Sequence, residues 1–206
     1  MNASFDEKAA EWDDDPMKVE RAATIATRVL ELEKLPSGAR VLEFGAGTGL
    51  LGMHFGARGA AVTFVDPSRG MREQVERKLA ELEDSGSRAL DTDDPRVAVD
   101  GGYALIISAM TLHHVPDPPQ TLRRLAQWLA PGGRLALVDL DSEDGSFHDG
   151  GETDVHLGFD RDELARWLVE SGFEDIAFET IYTIRRDAPD GPQEWPLFLV
   201  RASRRA

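Results

Sequence analysis

One stretch limits what this chain can become: Val41-Leu-Glu-Phe-Gly-Ala-Gly-Thr-Gly-Leu-Leu-Gly52. Ala39 to Phe44 form a short, apolar, β-type run, introduced by the turn sequence Pro36-Ser37-Gly38. Gly45, Gly47 and Gly49 then remove side chains from three alternate positions, and from Thr48 onward the pattern turns helical. A strand, a glycine turn and a helix start in that order leave backbone N–H groups unpaired and facing outward. Glycine lets the backbone adopt conformations other residues resist, and lets a ligand come close. This is a nucleotide-type binding loop, and the rest of the chain must supply the sheet around it.

The flanking sequence does so. Residues 1–35 read as an N-terminal helical cap. Its first part carries Phe5, Ala9, Ala10 and Trp12 among charges, and Val19, Ala22, Ala26 and Val29 then recur at helical spacing. Trp12 is either a packing anchor or part of a lid. After the loop, a helix from Leu50 to Arg58 leads to a strand at Ala61–Val65, ended by Asp66-Pro67. A helix over 68–82 follows, with Met71, Val75 and Leu79 on one face, and then a short strand at Arg88–Leu90. Tyr103–Ser108 is apolar throughout, as a strand buried on both faces should be. Pro118-Pro119 opens a helix, and Pro131-Gly-Gly133 turns into a fifth strand at Arg134–Val138. A long loop spans 139–159, and Asp160 with Glu163 makes a capping box for the next helix. Residues 173–186 and 194–201 close the chain as a hairpin. Strands alternating with helices imply an α/β fold: three layers, doubly wound, with a mostly parallel seven-stranded sheet and an antiparallel C-terminal strand. One domain over 1–206 suffices.

Charge narrows the partners. Thirty-eight acidic against 23 basic side chains give a net charge of −15, which repels phosphate backbones and anionic lipid. Nucleic acid and membrane are therefore excluded as expected partners. Without cysteine there is no disulfide and no thiolate metal site or nucleophile. The polar, acidic N-terminus has neither signal- nor transit-peptide character, so a cytoplasmic location is expected.

Two glycine registers overlap in the loop. Gly47, Gly49 and Gly52 satisfy G-x-G-x-x-G, with Asp66 about twenty residues on, which taken alone is a weak dinucleotide fingerprint. The other register, Glu43-x-Gly45-x-Gly47-x-Gly49, resembles motif I of the class I S-adenosylmethionine-dependent methyltransferases. Phe64-Val-Asp66-Pro-Ser-x-x-Met71, Leu112-His-His-Val115 and Leu129-Ala-Pro-Gly-Gly-Arg-Leu135 stand in that family's order. The terminal hairpin matches its reversed seventh strand.

The resemblance implies S-adenosyl-L-methionine as cofactor and S-adenosyl-L-homocysteine as product. It implies that Gly45, Ala46, Gly47 and Gly49 pass beside the methionine tail, with Glu43 accepting from its ammonium. Asp66, with Pro67 beside it, would hold the ribose hydroxyls. Asp91 would take the adenine amino group with Thr92 beside it, Asp93 being the competing acceptor. Met71 and Met110 would flank the adenosine, Ala109 would line it, and Trp12 would cover it. Histidine is the side chain best poised to take a proton near neutrality, so one of His113 and His114 is expected to act as base. His148 and His156 are candidates for the substrate pocket. Asp139, Asp141, Glu143, Asp144, His148 and His156 invite a metal reading but lack ligand spacing, and the acidic ligand of catechol-methylating relatives is Ser108 here; no metal is expected. The Asn/Asp-Pro-Pro-aromatic signature of base and glutamine methylation is absent, so the expected acceptor is an oxygen or nitrogen of a small molecule. A non-catalytic cofactor-binding regulator, a protein methyltransferase and a nicotinamide oxidoreductase are the alternatives. A monomer or homodimer fits each.

Overall fold

The computed structural model describes residues 2–98, 101–148, 155–187 and 191–205. Seven strands form one sheet: β1 (Arg40–Phe44), β2 (Ala61–Val65), β3 (Arg88–Leu90), β4 (Tyr103–Ala109), β5 (Leu129–Leu140), β6 (Phe173–Arg186) and β7 (Gln193–Arg204), in the order β3-β2-β1-β4-β5-β7-β6. β1 to β5 pair in parallel, and β7 inserts antiparallel between β5 and β6. The expected sheet, with its reversed strand, is what forms. The helices are α1 (Asn2–Lys8), α2 (Pro16–Leu32), α3 (Gly52–Gly56), α4 (Arg69–Glu81), α5 (Pro118–Trp128) and α6 (Arg161–Glu170).

Two apolar cores sandwich the sheet. One joins Ile25, Ala26 and Val29 of α2 and Val75 of α4 to Val41, Phe64, Leu105 and Val138. The other joins Leu122 and Leu125 of α5 and Leu164 and Leu168 of α6 to Leu42, Ile106, Leu135 and Phe198. Alternate strand residues serve opposite cores, so central strands carry almost no polar side chains. Of the buried exceptions in β1, β2, β4 and β5, Glu43, Ser108 and Asp139 lie toward strand C-terminal ends and Thr63 sits in the middle of β2.

Capping chemistry sets the helix starts. Asp15, Ser68, Asp117 and Asp160 each accept a backbone N–H from the first turn of α2, α4, α5 and α6. Two expectations shift. The helix after the glycine loop is only Gly52–Gly56, because the loop's turn runs further than the periodicity suggests. β5 begins at Leu129, before the Pro-Gly-Gly turn, with a register irregularity opposite Tyr103 and Leu105. β1, β2, β4 and β5 thus bring their carboxyl ends, and the loops after them, to one edge of the sheet.

Candidate active site

The glycine loop is held by the end of β2. Gly45 and Ala46 N–H donate to the Val65 carbonyl (2.8 and 3.0 Å), and Gly47 N–H donates to Asp66 Oδ2 at 2.7 Å. This corrects the expectation that these N–H groups face outward unpaired: the neighbouring strand takes them. Gly45 has φ +66°, and a Cβ there would overlap the Thr111 side chain, so close approach as well as conformation requires glycine. A Cβ on Gly47 would meet only Met71 Sδ and Trp12 Nε1, each 4.0 Å away. The face of Gly47 therefore opens onto a space walled by those two residues. Ala46 and Gly49 are buried beneath, and Pro67 is exposed.

Asp66 is buried at the end of β2, where Oδ1 also anchors the start of α4 by accepting Ser68 N–H (2.8 Å). Burial raises its pKa above the ordinary value, outweighing the loop N–H donors that act the other way. Each carboxylate oxygen keeps a further lone-pair direction. Glu43 lies deeper. It is almost wholly buried and accepts Gly52 N–H at 2.9 Å; burial pushes its pKa up to about 8, with Asp66 adding to the shift and the Gly52 N–H opposing it. Glu43 also explains Gly52, since a Cβ there would strike Glu43 Oε2 and the Phe64 ring.

On the far side of Asp66, Asp91 pairs with Arg72 (2.9 Å), whose guanidinium also donates to the Asp66 carbonyl (2.6 Å). The hydroxyl of Thr92 is buried without a hydrogen-bond partner, whereas the exposed Asp93 turns to Arg124 at 3.4 Å. Met71 is buried on α4. Ala109 and Met110 are half-buried at the end of β4, where Met110 takes φ +55° while donating its N–H to the Val138 carbonyl (2.9 Å). A non-glycine residue held in that region marks local strain, which clusters at functional sites. Ser108 donates to the Phe44 carbonyl (2.8 Å) and joins β4 to β1.

The N-terminal segment straps across this edge. Asp6 accepts from Ser68 Oγ (2.5 Å) and Gly70 N–H (2.8 Å). Asp13 accepts from Thr48 Oγ1 and pairs with Lys78, both at 2.5 Å. Between these fastenings the Trp12 ring stands over the glycine loop, edge-on to Phe5 (5.9 Å between centroids), with Lys18 Nζ over the Trp12 ring, 3.9 Å from its centroid.

The histidines converge beside the strap. In the 3₁₀ turn Leu112–His114 the His113 ring is buried, with Nδ1 2.6 Å from Asp139 Oδ1. His113 N–H also donates to Asp139 Oδ2 (3.2 Å), and Leu140 N–H donates to Oδ1 (2.8 Å). Asp139 Oδ1 already accepts Leu140 N–H and a carboxylate oxygen is an acceptor, an arrangement that suits the tautomer with the proton on His113 Nδ1 and leaves Nε2 as the basic nitrogen. The His114 ring packs on His113 (4.1 Å) and edge-on against Phe5 (5.5 Å); His148 joins both (5.2 and 5.8 Å). His156 is used differently. Its N–H donates to the His113 carbonyl (2.8 Å) and its Nε2 lies 3.0 Å from the Val115 carbonyl, so it braces the turn from behind.

The acidic residues of the 139–159 loop have other duties. Asp141 makes a two-pronged pair with Arg161 (2.7 Å each), and Glu143 and Asp144 accept loop N–H groups. Among the described residues no group of three or more His, Asp or Glu is arranged to hold a metal ion, and residues 149–154 of that loop lie outside them. No helix of the described residues is long and apolar enough to cross a membrane. Sequence reasoning missed the orienting role of Asp139, which it weighed only as a metal ligand. The available signal was an acid inside the apolar run Leu135–Leu140, where a buried charge needs a partner. It also missed the clasp of Asp13 and Lys78, residues 65 positions apart in a surface that reads as ordinary solvated charge.

Comparison with known proteins agrees with this geometry. The family model described as a methyltransferase domain matches residues 17–177. A ubiquinone biosynthesis O-methyltransferase from Xanthomonas axonopodis pv. citri is 31% identical over 141 residues, covering 66% of this chain and 58% of the relative. An uncharacterized methyltransferase from Bacillus licheniformis is 36% identical over 108 residues, 50% of this chain and 48% of the relative. The chain thus spans about half the length of the curated relatives it matches. Among solved structures, a complex of the Haloferax volcanii Trm112 methyltransferase activator with the putative methyltransferase aligns with TM-score 0.77 at 19% identity, over 98% of both chains. Haemonchus contortus phosphoethanolamine N-methyltransferase 2 with S-adenosyl-L-methionine aligns with TM-score 0.72 at 13% identity, over 88% of this chain and 52% of that one. At such identities the likeness is one of fold.

Proposed function

From the premise that the chain belongs to the class I S-adenosylmethionine-dependent methyltransferase family, we propose that it methylates a small-molecule acceptor on oxygen or nitrogen, a hydroxyl being favoured. The observation that carries this reading is the buried His113–Asp139 pair beside the glycine loop. The residues fit the cofactor. Gly47 leaves room between Met71 and Trp12, Asp66 retains lone pairs at the strand end, and the buried Thr92 hydroxyl lacks a partner. When bound, S-adenosyl-L-methionine supplies an electrophilic methyl carbon and leaves as S-adenosyl-L-homocysteine.

The chain's own work is positioning and proton handling. Asp66 would grip the ribose, Thr92 and Asp91 would face the adenine, and Trp12 would shut out water from above. Orientation of this kind is worth up to about 7–11 kcal/mol in well-placed intramolecular reactions. Asp139 fixes the His113 ring so that Nε2 receives the proton of the acceptor hydroxyl, and it stabilises the imidazolium that results. His114 and His148 wall the acceptor side. The O-methyltransferase name of the Xanthomonas relative supports oxygen as acceptor, and the cysteine-free, acidic composition supports a cytoplasmic setting. The test is incubation with methyl-labelled cofactor and a metabolite pool. Label should enter a small product, and His113→Gln should lower turnover by about 10²–10⁴-fold with S-adenosylhomocysteine affinity unchanged. Undiminished turnover in that variant removes the base; cofactor affinity without turnover on any pool favours a regulatory binding protein.

A further inference from the structure

Two half-buried rings of the N-terminal strap, Phe5 and Trp12, belong to neither of the apolar cores. What they border instead is the site. Each stands one residue before a fastening acid, Phe5 before Asp6 and Trp12 before Asp13. Both fastenings end on the cofactor half of the crevice: Asp6 on Ser68 Oγ and Gly70 N–H, Asp13 on Thr48 Oγ1 and Lys78. Ser68 N–H is in turn held by Asp66 Oδ1 at 2.8 Å. The footing of the strap is therefore tied to the groups assigned to the ribose and to the glycine loop.

The rings reach further than the footing. Trp12 Nε1 lies 4.0 Å from where a Cβ on Gly47 would stand, so the indole borders the open face of the glycine loop. Its N–H has no hydrogen-bond partner among the described residues. Trp12 meets Phe5 edge-on at 5.9 Å, and Phe5 crosses to the other half of the crevice, edge-on to His114 at 5.5 Å. His114 packs on His113, the proposed base, at 4.1 Å. A line of ring contacts thus runs from the cofactor loop to the base, and Phe5 is the link in it that the strap supplies to the acceptor side. Edge-to-face pairs favour one relative placement, so the seat of one ring fixes that of its neighbour.

Resting on the methyltransferase reading above, we propose that Phe5 forms a wall of the acceptor pocket and that bound cofactor, acting through Trp12, seats it there. The acceptor site is then complete only when the cofactor is in place. The physical reason is linkage: a ligand that touches the fastened strap and not the loosened one shifts the strap toward its fastened state. Trp12 supplies that differential contact by donating its indole N–H to the cofactor and covering it. Phe5 travels with Trp12 on one short segment, and its ring presents an apolar surface beside the hydroxyl that His113 deprotonates. By reciprocity, an acceptor resting on Phe5 tightens the cofactor by the same factor.

The experiment uses the full chain. Calorimetry with S-adenosylhomocysteine comes first. No binding there, or no labelled product from the natural chain in any metabolite pool, is a failure of the methyltransferase reading itself and takes this proposal with it. Amide hydrogen exchange is then followed over residues 5–14 with and without the nucleoside, and the Phe5–His114 contact is read as a nuclear Overhauser effect between the two rings. Saturating nucleoside should slow exchange over that segment by at least about tenfold and strengthen the ring signal. Trp12→Leu should lower nucleoside affinity by roughly tenfold and abolish both responses even at saturation. Phe5→Ala should keep nucleoside affinity within about threefold, yet raise by roughly three- to tenfold the pool concentration that gives half-maximal labelling. Phe5→Leu, which keeps an apolar body, should recover most of that loss. Exchange untouched by bound nucleoside, responses that survive Trp12→Leu, or an unchanged pool dependence in Phe5→Ala overturns the proposal. So does a Phe5→Ala variant that loses nucleoside affinity and pool dependence alike, since that is the behaviour of a packing residue.

Discussion

Replacing Glu43 with glutamine puts a number on the support beneath the glycine loop. Glu43 titrates near 8 in the folded protein against an ordinary value of 4.5, chiefly because burial disfavours its charged form. That difference corresponds to about 5 kcal/mol at most. The folded value lies above the unfolded one, so the folded state holds this proton more tightly. Its stabilising effect is complete below about pH 4.5, fades as pH rises, and is lost above about pH 8. Glutamine copies the protonated side chain and still accepts the Gly52 N–H, yet it cannot ionise. Denaturant unfolding of both proteins at about pH 5 and about pH 8.5 should show the variant gaining on the natural chain by up to about 4 kcal/mol, the rest of the difference lying below pH 5. At roughly 2–4 °C per kcal/mol for a chain of this size, the melting gap widens by about 10 °C or more. Self-repulsion from the net charge of −15 acts on both and drops out of the difference. A gap that stays flat within about 1 kcal/mol refutes the reasoning. Repeating the series with S-adenosylhomocysteine tests Glu43 as a partner of the tail's ammonium, which would keep the carboxylate ionised and close the gap.

Three further outcomes are expected. Asp66→Asn removes the carboxylate that joins Gly47 and Ser68, and calorimetry should find nucleoside affinity down by roughly 10–100-fold; affinity within about twofold would contradict the assigned role. Gly45→Ala forces a Cβ into Thr111 at φ +66°, which should cost about 1–3 kcal/mol in thermal unfolding, and a melt unchanged from the natural protein rejects the loop geometry. Asp13→Ala opens the clasp to Thr48 and Lys78. Global stability should fall by about 1 kcal/mol or less, while proteolysis near the N-terminus and nucleoside exchange both quicken, and unaltered protease protection speaks against the strap.

The sheet was legible in the sequence because its signals are local. Apolar runs, Gly and Pro punctuation and the Asp160–Glu163 capping pattern lie within a few residues of what they specify. Asp66 and the glycines were legible for the same reason. Asp139 was not, because its partner His113 is 26 positions away and only the parallel pairing of β4 with β5 brings them together. The N–H groups of Gly45, Ala46 and Gly47 are taken rather than free, because a motif shows which donors a turn leaves over, not which strand comes to take them.

The strap of residues 2–14 grips both banks of a single opening, Ser68 and Gly70 on one side and Thr48 and Lys78 on the other. Traffic into and out of the crevice therefore answers to ionic strength in a way the rest of the molecule does not. Added salt relieves mutual repulsion across an acidic surface and firms the body of the protein, while it screens the Asp13–Lys78 attraction and loosens the gate. The expected combination is a body that salt does not weaken and a gate that salt loosens.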